Sequence, residues 1–94
     1  MIGKKVVVTT DTTRRGVFFG TLADDQGDVV TLTDARNAIY WSAETRGFVG
    51  LSAIGPQPGS KIGPACPSLR LNGVTSIAEC SEAAITAWEA GPWS

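Results

Sequence analysis

The sequence predicts a small α+β domain: an antiparallel β-sheet that curls on itself, then a short helix, a β-hairpin and a closing helix. Three observations predict it. Short runs rich in Val, Thr and aromatics recur over residues 4–42, separated by clusters of Asp, Thr and Gly that favour turns. Residues 43–66 have helical spacing interrupted by glycines and prolines. Residues 81–91 then carry a capped amphipathic pattern that ends at Gly91-Pro92. The 94 residues suit one domain, 1–94, near the size at which a single core is only marginally stable.

Each element has a local reason. Lys4 to Thr10 is rich in valine and threonine and reads as a strand. "DTTRR" follows as a polar turn, because Asp and Thr side chains bond their own backbone. "GVFFGTLA" is the second strand, "DDQGD" a strong turn and "VVTLT" the third strand. "DA" is expected as a tight connection to a fourth, "RNAIYWS". Such a meander over 4–42 must curl or pack to bury one face. In 43–66, Phe48, Leu51 and Ile54 recur at helical spacing, with two internal glycines costing about 1 kcal/mol each. A weak helix ending near Gly55 is expected, then a loop through "PQPGSKIGPACP". Asn72-Gly73 inside 67–80 fits a type I′ hairpin, which needs positive φ at both residues. In the last helix Ser81 is the expected N-cap, Glu82 favours the first turn, and Ala84, Ile85 and Trp88 form the apolar stripe. The run "GVFFGTLADDQGDVVTLTDA" also resembles the central strands of SH3-like and Sm-like small barrels, with Gly16 and Gly20 as bending points.

Composition narrows the function. The chain has no histidine, so it lacks the commonest general base near neutral pH, and Ser-His-Asp or Cys-His systems cannot be assembled from it. Its net charge of −1 argues against coating duplex nucleic acid, which needs an excess of Lys and Arg. A small anionic ligand needs only two or three local cations. Cys66 and Cys80 do not have metal-site spacing and read as free thiols, and no metal or cofactor is expected. Asp24, Asp25 and Asp28 lack the spacing of a calcium loop and read as a solvated turn. The valine run near the amino terminus is too short for a signal-peptide core or a membrane span, so an intracellular protein without a membrane partner is expected. A weak single core also favours association with further copies of the chain.

The segment "LTDARNAIYW" carries the most chemistry. Strand alternation places Arg36, Ala38 and Tyr40 on one side, and Asn37, Ile39 and Trp41 on the other. If Ile39 and Trp41 turn inward, Arg36 and Tyr40 share an accessible face where a guanidinium can hold a phosphate beside a stacked base. A solvated arginine over an aromatic ring fits the same residues. Arg14 and Arg15 are either solvated hairpin-tip residues or an electrostatic clamp on an anion. Trp88 reads as packing, and Trp93 as a staple to a neighbouring surface or subunit.

The succession "RGVFFG", "DARNAIYW", "SLRLNGVTSI", "ECSEAAI" and "GPW" resembles a family of short, uncharacterised phage-encoded proteins. Its members carry a "GVHFG"-like strand, an "ARRIWYW" strand, a "TEAIEI"-like strand and a closing helix. This chain departs from that pattern at Asn37, where the family has a second arginine, and at Ile39, where it has lost a tryptophan. The chain is also similar to the anti-Thoeris phage sponges, which sequester cyclic ADP-ribose signals and in some cases cyclic oligonucleotides, and which assemble from dimers into rings. The resemblance implies a non-catalytic anti-defence protein in the cytoplasm of an infected bacterial host, binding a small nucleotide-derived signal in a pocket between protomers. It implies that Arg36 with Arg14 or Arg15 engages phosphates, that Tyr40 or Phe18 stacks on the base, and that Asn37 bonds a polar edge. The loop bearing Lys61 is the expected lid. The rival expectations are a module that inhibits a host protein and an Sm-like binder of single-stranded RNA, with a signal-cleaving enzyme last.

Overall fold

Three consecutive valines are the densest apolar run near the amino terminus, and in the computed structural model Val6, Val7 and Val8 are all fully buried. A strand whose two faces are both buried must lie between two layers of packing. The model describes residues 2–10, 16–40, 47–57 and 60–90. Strand β1, Lys5–Thr10, pairs antiparallel with β2, Gly16–Asp25, and β2 pairs with β3, Val29–Tyr40. The turn between β2 and β3 is built as its composition suggests: the Gln26 amide donates to Val29 O at 2.8 Å and the Gly27 amide to Asp25 Oδ1 at 2.9 Å.

Two expectations for the strands are corrected. "DA" does not connect two strands; β3 runs unbroken for 12 residues. Its register against β2 shifts between the Phe19–Arg36 and Thr21–Thr33 pairs, and Asp34 has φ of 49°. The chain absorbs the Asp-Ala pair as a β-bulge opposite Gly20, because an Asp tolerates the left-handed region that such a bulge needs. Nor do residues 67–80 form a hairpin. Strand β5, Cys66–Asn72, pairs with β3, whereas β6, Val74–Glu79, pairs with β1. Gly73 alone takes positive φ, 65°, so one long strand turns a corner there instead of folding back. The Val74 amide donates to Asp28 O at 3.2 Å beside that corner.

The pairing explains the curl. The sheet order β6-β1-β2-β3 with β5 also on β3 means that the two outer strands are successive stretches of one chain joined at Gly73. The inward wall holds Val6, Val8, Leu22, Val30, Leu32, Ala35 and Leu71, with Phe18, Leu69, Val74 and Ile77 packed against them. The outward wall of β1–β3 carries Val7, Phe19 and Ala38 beneath two helices.

Those helices are α1, Gly47–Ala53, and α2, Glu82–Ala90. The spacing that predicts α1 buries Leu51 and leaves Ile54 at the surface. Gly55 ends the element with φ of 77°, its amide reaching Gly50 O at 3.0 Å. Ser81 caps α2 as expected, accepting from the Ala84 amide at 3.1 Å. Its hydroxyl also donates to Ala53 O at 2.5 Å, and its amide to Ser52 O at 2.9 Å, tying the end of α1 to the start of α2. Ala84 and Trp88 are buried, and the Trp88 indole N–H donates to Leu51 O at 3.0 Å. Trp88 stacks on Phe19 with centroids 4.9 Å apart and planes 7° from parallel. Part of the segment expected as a loop instead forms a two-residue strand, β4, Lys61–Ile62, paired with β3 and burying Ile62. No helix among the described residues is long and apolar enough to cross a membrane.

Candidate functional site

A concavity arises where β2 and β3 part company. Their ladder ends at the Phe18–Asn37 pair, after which β3 continues alongside β4, with Ala38 opposite Ile62 and Tyr40 opposite Lys61. The Gly63 amide donates to Asn37 O at 2.8 Å and extends that second pairing. Between the diverging strands lies a cleft of about 540 Å³, lined by Thr9 and Thr10 at the end of β1, Gly16 and Val17 at the start of β2, and Asn37, Ala38 and Ile39. Its walls are apolar at Val17, Ala38 and Ile39 and polar at the two threonines and Asn37. Thr9 is anchored by a hydroxyl cluster, its Oγ1 2.7 Å from Thr75 Oγ1 and 3.1 Å from Ser76 Oγ.

The expected orientation is reversed at Ala38 and Ile39. Instead of turning inward, Ile39 is 62% exposed, and Ala38 is the buried neighbour. The cause is the helical layer, which covers the face bearing Arg36 and Ala38. Arg36 accordingly points towards backbone. Its Nε donates to Gly63 O at 2.8 Å and its Nη1 to Trp88 O at 2.6 Å. Trp88 O belongs to the last turn of α2, where carbonyls lack intrahelical partners and a cation is favoured.

The other candidates divide. Asn37 is exposed and lines the cleft. Phe18 is half-buried, packs against the inward core and lies over Gly16, so that a side chain at 16 would collide with its ring. Arg14, Arg15, Trp41, Trp93 and the side chain of Tyr40 lie outside the described residues. In the sequence, Arg14 and Arg15 fall between the cleft-lining Thr10 and Gly16. Lys61 is exposed on β4. Sequence reasoning missed Thr9, Thr10, Val17 and Ile39 as cleft residues, since nothing local signals where two paired strands separate.

Cys66 and Cys80 are free thiols. Cys80 is buried, and its thiol is pushed up from 9.0 to about 12, mainly by burial, with Glu79 adding to the rise and Lys5 opposing it. It is a packing residue in the outward core. Among the described residues, no group of three or more His, Cys, Asp and Glu could hold a metal ion.

A family model described as a domain of unknown function, DUF6948, matches residues 3–88. The chain belongs to this family. The match runs from before β1 to Trp88, so it takes in every described strand and most of α2. No curated protein and no solved structure matches the chain.

Proposed function

We propose that the protein is a non-catalytic binder that sequesters a nucleotide-derived signal, a cyclic ADP-ribose isomer or a cyclic oligonucleotide, as a phage anti-defence protein in the host cytoplasm. The observation that carries this reading is the cleft opened by the parting of β2 and β3. Its volume of about 540 Å³ falls within the roughly 300–1,000 Å³ usual for small-ligand sites. Asn37 offers a donor and an acceptor to a polar edge, the threonines offer hydroxyls, and Arg14 and Arg15 supply charge for phosphates. Lack of histidine in the sequence supports retention of the ligand over turnover. Arg36 serves the scaffold in this reading, so the phosphate-binding role passes to Arg14 and Arg15. The resemblance to phage sponges supports the ligand class, and association of copies at the exposed Ile39 rim would enclose it.

The test is a melting-temperature panel with cyclic dinucleotides, cyclic trinucleotides and cyclic ADP-ribose isomers. A ligand at a hundred times its dissociation constant adds about 2.7 kcal/mol, which for a domain of this size raises Tm by roughly 10–20 °C. Intact ligand should be recovered after heat denaturation, and Asn37→Ala or the double change Arg14→Ala/Arg15→Ala should weaken binding at least about tenfold. Cleaved product would overturn the non-catalytic reading. Silence across the panel would favour the protein-inhibitor alternative, for which the exposed Ile39 and Val49, 62% and 70% accessible, are the natural contact residues.

A further inference from the structure

A second concavity, of about 220 Å³, is lined by Lys5, Phe19, Asp34, Arg36, Ala65 and Glu89, and shares no residue with the cleft. Four of those six side chains are charged, two of each sign. They come from three elements. Lys5 begins β1, with its Nζ 3.3 Å from Glu89 Oε2 and 5.8 Å from the Phe19 centroid. Phe19 is buried and stacks on Trp88, so Lys5 stands over an aromatic floor with Glu89 beside it.

Asp34 and Arg36 complete the arrangement differently. The bulge in β3 holds Asp34 at φ 49° and on the rim of this hollow. Its carboxylate makes no hydrogen bond or ion pair among the described residues. Arg36 is fixed through Nε and Nη1 to two carbonyls, which leaves the N–H groups of Nη2 without a partner among the described residues. Asp34 and Arg36 thus line one small hollow whose four formal charges sum to zero, with neither the Asp34 carboxylate nor the Arg36 Nη2 group partnered among the described residues. A simple anion meets repulsion from Asp34 and Glu89, and a simple cation meets it from Lys5 and Arg36. A molecule carrying both charges a few bonds apart satisfies both.

We propose that this hollow binds a small zwitterion of the α-amino acid class, its carboxylate on Arg36 Nη2 and its ammonium group on Asp34. The hollow lies below the roughly 300 Å³ lower bound for drug-sized sites, which restricts the occupant to a compact amino acid. The site is independent of the cleft.

L-Alanine, acetate and methylammonium are the probes, each titrated separately while the amide resonances of Asp34, Arg36 and Ala65 are followed by NMR. L-Alanine should give saturable shifts with a dissociation constant of about 1 mM or tighter, and the two single-charge probes should bind at least about tenfold more weakly. Asp34→Asn is the decisive variant, because Asn adopts the left-handed backbone as readily as Asp. It should keep the melting temperature and lose alanine binding by about tenfold or more. Asp34→Gly, which also suits positive φ, should behave alike. The proposal is overturned if alanine produces no saturable shift, if acetate binds as tightly as alanine, or if both variants keep full alanine affinity.

Discussion

Replacing Arg36 by alanine removes two charge-assisted hydrogen bonds at once. One holds Gly63 beside β4, at 2.8 Å, and the other holds the Trp88 carbonyl in the last turn of α2, at 2.6 Å. Hydrogen bonds from charged groups contribute about 1.5–3 kcal/mol each. The guanidinium is half-buried, so solvent replaces part of that, and a loss of about 2–4 kcal/mol follows for the pair. Stability of a domain this small is typically about 5–10 kcal/mol, so the change consumes a large share. Urea unfolding followed by tryptophan fluorescence reads it well, because Trp88 is stacked on Phe19 and loses that environment on unfolding. Arg36→Lys should recover little, since an ammonium group cannot span two carbonyls with a planar fork. Should Arg36→Ala unfold within about 0.5 kcal/mol of the parent and lose the nucleotide ligand instead, the scaffold role would be refuted and Arg36 returned to the binding site.

Two further outcomes follow from packing and titration. Gly55→Ala should destabilise by about 1–3 kcal/mol in the same assay, since φ is 77° there and the new Cβ would lie 2.6 Å from Ala87 Cβ and 2.9 Å from Ala84 O; an unchanged midpoint would show that α1 ends otherwise. Cys80, with its thiol raised from 9.0 to about 12, holds its proton more tightly folded than unfolded. Unfolding therefore releases a proton between those values, and stability is unaffected below pH 9 and falls as pH rises through that window. Cys80→Ala should flatten the alkaline slope, and a thiol reagent near pH 8 should modify half-exposed Cys66 well before Cys80.

Much of the architecture was legible because it rests on local chemistry. Ser81 reads as a cap because a hydroxyl suits a helix start, and it caps α2. "DDQGD" reads as a turn and makes one. What was not legible depended on partners far along the chain. Asn72-Gly73 has hairpin composition, yet β5 and β6 each find a better-matched strand elsewhere, and only Gly73 needs the left-handed region. Asp34-Ala35 looks like a connection because Asp is rare in strands, and only the register across Gly20 makes it a bulge. Strand alternation correctly divides Arg36 and Ala38 from Asn37 and Ile39, but which side meets hydrocarbon is decided by helices whose docking no local pattern specifies. The cleft was hidden for the same reason, being a consequence of β3 exchanging β2 for β4.

The corner at Gly73 also sets the order in which the chain can assemble. β1 leaves the ribosome well before β6, yet Val6 to Thr10 find their second neighbour only in Val74–Glu79. Until that late segment has been synthesised, a row of three valines has one open side. Long-range closure of this kind slows folding and exposes sticky backbone in the interval, so growing chains halted before residue 74 should engage chaperones, and those extended past α2 should escape them.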